Sequence, residues 1–217
     1  MAAPSVVHVV RHGQVHNPEG VLYERLPGFG LSELGQQMAE RLGEYFADAN
    51  VVWLVSSPLQ RALETMTPIA AAHPGLSLHV DDRLIEAGNL FAGTTFHGRE
   101  SALLKPANWW RLRNPLRPSW GESYVAIAVR MREAIEEAAR HCEGAEAVVV
   151  SHELPIWMAR LSAQHRHLFH DPRKREARLA SVTTFTFQGG ALTGISYAEP
   201  CADLVPVKTT RKFRPGA

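Results

Sequence analysis

A chain of 217 residues, 45% of them hydrophobic, can bury one sizeable core, and an α/β unit of this length is more often one domain than two. The formal net charge of +1, with 21% charged residues, gives no bulk electrostatic reason to bind nucleic acid or a membrane surface. Two cysteines without a CxxC motif, no apolar leader after Met1 and no run of transmembrane length predict a cytoplasmic protein.

The first predicted strand ends in residues that a core does not need. Residues 6–10 form a β-branched apolar run with one histidine, which is typical of a buried strand, and Arg11, His12 and Gly13 follow directly. In an open α/β sheet, ligands bind beyond the carboxyl ends of the strands, so these residues could build an anion site there. For the tripeptide alone, a strand followed by an ordinary polar turn is the simpler interpretation.

Strand and helix patterns alternate after this strand. A loop over residues 14–30, rich in glycine and proline, precedes a helix over residues 32–49 that Ser32 can cap. Further strands are predicted over residues 51–55 and 76–80.

The helix between these two strands is expected to start at a capping box. Ser57 would be its N-cap, Pro58 its first residue, and Gln60 lies three residues after the cap. Arg61 is therefore expected in the first turns of this helix, at the carboxyl end of the second strand. Glu86 lies just beyond the third strand.

Two segments depart from this alternation. Residues 88–121 hold several tryptophans and phenylalanines among glycine, proline and arginine, which predicts a small folded excursion over the active site. Residues 200–217 are expected to form a mobile tail. The chain as a whole, residues 1–217, is expected to be a single domain.

The second half of the chain completes the predicted sheet. A long helix over 122–141 precedes a buried strand over 147–150, which runs into His152. Strands over 182–187 and 191–197 form a closing hairpin. The pattern predicts a three-layer α/β fold: a mainly parallel sheet, helices on both of its faces and an antiparallel edge near the C-terminus.

The groups that follow several strands suit a phosphate ester. The guanidinium groups of Arg11 and Arg61 can bind phosphate oxygens bidentately, and an imidazole can be a donor or a nucleophile. Attack of a neutral His12 on phosphorus would form a phosphohistidine without a metal, while the two arginines and a protonated His152 hold the equatorial charge. Glu86 is the carboxyl placed to protonate the leaving alkoxide and then to deprotonate the attacking water.

A set of short motifs occurs in order along most of the chain, from about residue 5 to the terminal hairpin: Arg11-His12-Gly13 with Asn17 after it, Leu31-Ser32-Glu33-Leu34-Gly35, Ser56-Ser57-Pro58-Leu59-Gln60-Arg61-Ala62, Leu84-Ile85-Glu86, Gly121-Glu122-Ser123 and Ser151-His152. In this ordered set the chain resembles the histidine phosphatase superfamily, which includes phosphoglycerate mutases and related phosphatases. The resemblance implies that His12 is the nucleophile and Glu86 the proton donor. It also implies a phosphate pocket completed by Arg11, Arg61 and His152, and a contact between Asn17 and the phosphoryl group.

The sequence departs from the family pattern at two places that bear on activity. Phosphoglycerate mutases follow the catalytic Glu with Arg-His-Tyr-Gly, whereas Ala87-Gly88-Asn89-Leu90 follows Glu86 here, which favours a phosphatase. Many members place glycine after the second histidine, where this chain has Glu153. Its charge would be costly if it pointed into a phosphate pocket, and the preferred interpretation is that it complements a helix N-terminus.

The sequence therefore predicts a metal-independent phosphomonoester hydrolase that acts on a small phosphorylated metabolite without a cofactor. Phosphoglycerate mutase activity and a non-catalytic phospho-ligand-binding or regulatory module are the alternatives. Gln14 and Tyr23 are candidates for the mouth of the pocket, His16 is expected to face solvent, and the basic residues 173–178 are expected to form a solvated helical face. No nucleic-acid or membrane partner is expected, and the oligomeric state is left open.

Overall fold

Valine-rich strands form the centre of a mixed sheet. The computed structural model describes residues 3–94 and 121–205. Its strands are β1 (Ser5–Arg11), β2 (Val51–Ser56), β3 (Leu78–Val80), β4 (Glu146–Ser151), β5 (Val182–Gln188) and β6 (Ala191–Ala198). Their order is β3-β2-β4-β1-β5-β6. The first four pair in parallel, and β5 pairs antiparallel with β1 and with β6, as predicted.

Helices cover both faces of this sheet, which confirms the predicted α/β architecture. They are α1 (Glu33–Phe46), α2 (Gln60–Ala72), α3 (Tyr124–His141) and α4 (Glu153–Ala163). Because side chains alternate along a strand, Val148 and Val150 of β4 pack with α1 and α2, while Val149 packs with α3 and α4. Within the described residues, no helix is long and apolar enough to cross a membrane.

The start of α2 differs from the sequence prediction. The helix begins at Gln60, its N-cap is Leu59, and no side chain caps it. The predicted cap, Ser57, places its hydroxyl 2.7 Å from Nε2 of His152 and 3.4 Å from the Leu59 amide. The capping-box prediction is therefore wrong, because the hydroxyl bonds to a distant imidazole.

Three smaller differences concern surface residues. The third strand is shorter than predicted and begins at Leu78. The helical spacing of Met38, Leu42 and Tyr45 predicts that Tyr45 lies on the buried face of α1, but this residue is 49% exposed. The basic run is not a helical face, because only Pro172–Lys174 forms a 3-10 turn and Arg175 turns inward.

The ends of the predicted excursion lie side by side. Asn89 pairs with Gly121 in an antiparallel bridge, and the Gly88 carbonyl accepts a hydrogen bond from the Glu122 amide at 3.0 Å. Residues 95–120, including Trp109, Trp110 and Trp120, lie outside the described residues, as do residues 206–217. The first part of the predicted tail packs on α1, where the buried Cys201 places its thiol 3.5 Å from the Met38 carbonyl.

Candidate active site

His12 lies at the carboxyl end of β1, in the middle of the sheet. Its amide donates to the Ser151 carbonyl at 3.2 Å, and only 2% of the residue is exposed. Its Nδ1 lies 2.8 Å from the Gly13 carbonyl, which can only accept, so Nδ1 carries the proton and Nε2 keeps a lone pair. Burial, followed by the charges of Arg61 and Arg11, holds the pKa of His12 well below its usual value. The ring is therefore neutral at neutral pH.

Two buried arginines flank this imidazole. Arg11 donates to the Ala177 carbonyl at 2.7 Å. Arg61 is 1% exposed, donates to the Glu24 carbonyl, and lies over the Tyr23 ring at 4.7 Å from its centroid. Within the described part of the chain, its buried Nε has no hydrogen-bond partner. A guanidinium held in this way can direct a donor to an oxyanion.

His152 lies beside His12 at the end of β4. Their ring centroids are 5.1 Å apart, and His152 is fully buried. Ser57 Oγ is 2.7 Å from Nε2 of His152, while Nδ1 has no partner among the described residues. If the hydroxyl donates to Nε2, the other ring nitrogen carries a proton that a phosphoryl oxygen can accept.

The protonation of His152 depends on what enters the pocket. Burial, followed by the neighbouring His12 and Arg61, holds the pKa of His152 well below its usual value. With only protein groups around it, the ring is neutral. A phosphoryl dianion would favour the imidazolium, so the protonated state expected from the sequence requires a bound anion.

Glu86 and Glu24 place two carboxyl groups near Arg61. The Glu86 carboxylate accepts the Ala87 amide at 2.8 Å, and burial raises the pKa of Glu86. The Glu24 side chain accepts from Asn89 at 3.3 Å; burial and then the charge of Glu86 raise the pKa of Glu24 to about 8. Because the pKa values of both carboxyls are raised, a proton is retained near them at a pH where ordinary glutamates are ionised.

Glu153 begins α4, as its predicted association with a helix N-terminus requires, but its carboxylate also faces the site. One oxygen lies 3.0 Å from an Arg11 nitrogen and the other 3.2 Å from an Arg175 nitrogen. Arg175 in turn donates from Nε to Nε2 of His170 at 2.8 Å. The carboxylate therefore bridges two guanidinium groups.

The remaining predicted pocket residues take local roles in the loop between β1 and α1. The Asn17 amide donates to the Val21 carbonyl at 2.8 Å and its oxygen accepts the Val21 amide at 3.0 Å. The Gln14 side-chain oxygen accepts from the Ser32 hydroxyl at 2.8 Å. His16 is exposed. A direct contact from Asn17 or Gln14 to a phosphoryl group stays a prediction.

Three participants were not singled out from the sequence in these roles: Ser57 beside His152, Glu24 beside Glu86, and Arg175 on Glu153. The sequence pattern predicts a helix cap at Ser57. Glu24 has a left-handed backbone conformation, with φ of 38°, which no local sequence signal predicts. Among the described residues, no group of three or more His, Cys, Asp or Glu side chains is arranged to hold a metal ion.

Comparison with known proteins agrees with this arrangement. The model of the histidine phosphatase superfamily (branch 1) matches residues 7–199. The chain belongs to this superfamily. The protein Rv0525 of Mycobacterium tuberculosis is 48% identical over 202 residues, which covers 93% of this chain and 100% of that protein.

Two solved structures of phosphatases are also similar. The mycobacterial glucosyl-3-phosphoglycerate phosphatase Rv2419c has 25% identity and a TM-score of 0.70, over 90% of this chain and 96% of that one. A phosphoserine phosphatase from Entamoeba histolytica, solved with 3-phosphoglyceric acid, has a TM-score of 0.72 over 90% of this chain and 98% of that one. At 21% identity, the second likeness concerns the fold alone.

Proposed function

We propose that this histidine phosphatase superfamily member is a metal-independent phosphomonoester hydrolase that works through a phosphohistidine at His12. The observation that carries the proposal is the hydrogen bond from His12 Nδ1 to the Gly13 carbonyl, which leaves Nε2 as a nucleophile. Arg11, Arg61 and His152 lie around this ring, where the equatorial oxygens of a phosphoryl group would gain negative charge.

In the first step, the lone pair on His12 Nε2 forms a bond to phosphorus as the bond from phosphorus to the ester oxygen breaks. The leaving alkoxide takes a proton from Glu86, whose raised pKa keeps that proton available. The arginines and His152 hold the three phosphoryl oxygens throughout this transfer.

In the second step, water attacks phosphorus and the bond between phosphorus and His12 Nε2 breaks. The Glu86 carboxylate formed in the first step accepts the proton of the water. Inorganic phosphate leaves, and both His12 and Glu86 return to their starting protonation states. The cycle requires no group beyond these side chains, the ester and water.

The proposed substrate is a small phosphorylated metabolite. The name of the similar mycobacterial glucosyl-3-phosphoglycerate phosphatase supports a substrate of this class. We propose a cytoplasmic location, which agrees with the free, buried thiols of Cys142 and Cys201.

The defining experiment is hydrolysis of an aryl phosphate in EDTA, with rapid acid-free quenching to trap the phosphoprotein. We expect steady turnover and a bound phosphate that is labile in acid and stable in alkali, as a phosphohistidine is. Turnover that EDTA abolishes would contradict the proposal. Phosphate binding without turnover would indicate the non-catalytic module, and conversion of 3-phosphoglycerate to its 2-isomer would indicate a mutase.

Glu86→Gln is expected to have an effect that depends on the leaving group. Without the acid, an alkyl phosphate should lose about a hundredfold or more in kcat/KM, because an alkoxide leaves poorly without a proton. An aryl phosphate with an acidic leaving group should react with His12 nearly normally and then accumulate phosphohistidine, since activation of water is also lost. Rapid-quench measurement of both substrates checks this.

The control for this change is Asp82→Asn, which removes an exposed carboxylate in the same segment. This variant should hydrolyse both substrates at wild-type rates. An equal loss in kcat/KM for the alkyl and the aryl ester in Glu86→Gln would rule out the general-acid role.

Glu24→Gln is expected to move the alkaline limb of the pH profile of kcat/KM to lower pH. Activity needs a neutral His12 and a protonated Glu86, so the lowered pKa of His12 extends activity toward acid and the raised pKa of Glu86 extends it toward alkali. Burial and the charge of Glu86 raise the pKa of Glu24, and because repulsion between two carboxylates is mutual, a charge on Glu24 opposes ionisation of Glu86. Removing it should lower the pKa of Glu86.

The measurement is kcat/KM for an alkyl phosphate between acid and alkaline pH. Glu19→Gln, an exposed position in the same loop, is the matched control and should leave the profile unchanged. An alkaline limb that stays in place in Glu24→Gln would show that Glu24 does not influence the acid.

A further inference from the structure

Glu153 puts a carboxylate into the wall of the phosphate pocket. It follows His152 directly in the chain, and its Oε2 lies 3.0 Å from the Arg11 guanidinium. A residue that only complemented the N-terminus of α4 would not need this contact.

Arg175 balances the charge of this carboxylate. Its Nη1 lies 3.2 Å from Glu153 Oε1, and only 15% of its side chain is exposed. The bond from Arg175 Nε to His170 fixes the guanidinium from the other side. Glu153 and Arg175 therefore form a neutral, largely buried pair beside Arg11.

The cationic side chains around His12 are occupied by the phosphoryl group itself. Arg11 and Arg61 supply two positive charges to its dianion, and the bound dianion favours a protonated His152. The positive charge of Arg175 is not available to a substrate, because it is neutralised by Glu153. A second anionic group next to the ester would meet the Glu153 carboxylate, and Arg175, the cation beside it, is already paired with Glu153.

We propose that Glu153 is a specificity-determining residue that disfavours phosphomonoesters with a second anionic group near the phosphate and favours those with a neutral or cationic group. This inference rests on the proposed hydrolase function. It concerns the charge of the substrate group next to the phosphate, which the position of His12 does not determine.

The test compares two substrates with the same three-carbon skeleton, glycerol 3-phosphate and 3-phosphoglycerate, which differ by a hydroxymethyl and a carboxylate group. Glu153→Gln keeps the size of the side chain and removes its charge, and its one remaining oxygen can still accept from one of the two arginines. We expect kcat/KM for 3-phosphoglycerate, divided by that for glycerol 3-phosphate, to rise about tenfold. Any effect on Arg11 common to both substrates cancels in this ratio.

Two further variants separate charge from packing. Arg175→Gln leaves the Glu153 charge unbalanced, so the ratio should fall below the wild-type value. The double variant removes the whole pair and should return the ratio to near the wild-type value. Glu136→Gln, an exposed carboxylate on α3 with the same change in net charge, should not alter it.

The outcomes distinguish this inference from the proposed function. An unchanged ratio in Glu153→Gln, with both esters hydrolysed through His12, would overturn the role of Glu153 alone. A ratio that changes equally in Glu136→Gln would also overturn it, by showing a general charge effect. If neither ester nor an aryl phosphate is hydrolysed by the wild-type protein, the hydrolase proposal fails first.

Discussion

His12→Ala is expected to lower kcat/KM for an aryl phosphate by about ten-thousand-fold or more. The change removes the atom that forms the bond to phosphorus. The neighbouring imidazole of His152 does not replace it, since its Nε2 is bonded to Ser57 and, when that hydroxyl donates, its Nδ1 carries a proton. The phosphoprotein should disappear together with turnover. Steady-state kinetics and quench trapping at the same protein concentration check both.

The matched control is His16→Ala, which removes an exposed imidazole four residues along the same loop and should leave turnover unchanged. Thermal unfolding shows whether each variant is folded. His12→Ala should also still bind inorganic phosphate, because Arg11 and Arg61 remain. A folded variant with more than about a tenth of the wild-type turnover would remove His12 from the mechanism.

The sequence predicted the fold because its signals are local. The β-branched run before Arg11, the Ser32 cap and the valine strand before His152 each depend on a few adjacent residues, and Ser32 does accept the Gly35 amide at 3.1 Å. The place of the site followed from one topological rule, since parallel strands bring their carboxyl ends to one edge. The structure accordingly brings Arg11, Arg61 and His152 around His12.

The partners of these side chains were not predictable, because they depend on contacts between distant segments. Ser57 and His152 are separated by 95 residues, and the competition of an imidazole with a helix amide for one hydroxyl has no local signal. The Glu153 contact with Arg11 spans the chain in the same way. Arg175 lies in a basic run whose composition favours a solvated face, and its burial depends on Glu153 and His170.

Composition and periodicity also do not predict the close contact between α1 and the loop that follows His12. Gly35 lies in the first turn of α1, directly against the backbone of Gln14. A Cβ on Gly13, built in the opposite direction, would lie 2.7 Å from the Gly35 carbonyl. Backbone packing thus requires both glycines. This packing fixes the distance between α1 and the loop that follows His12.

Gly35→Ala is expected to destabilise the protein, although glycine to alanine within a helix normally stabilises by about 0.5–1 kcal/mol. The new Cβ would lie far inside van der Waals contact with the Gln14 carbonyl oxygen, and backbone cannot rotate away as a side chain can. We expect a loss of about 3 kcal/mol in the free energy of unfolding, measured by denaturant titration. Because Gln14 lies two residues from His12, the shift should also lower kcat/KM about a hundredfold.

The control is Gly194→Ala in β6, where the nearest atom to a new Cβ is 3.8 Å away on Thr186. That variant should unfold within about 0.5 kcal/mol of the wild type and keep full activity. A Gly35→Ala protein as stable and active as the wild type would show that the loop can move away from α1 without cost. His12 would then owe its position to the sheet alone, through the bond between its amide and the Ser151 carbonyl.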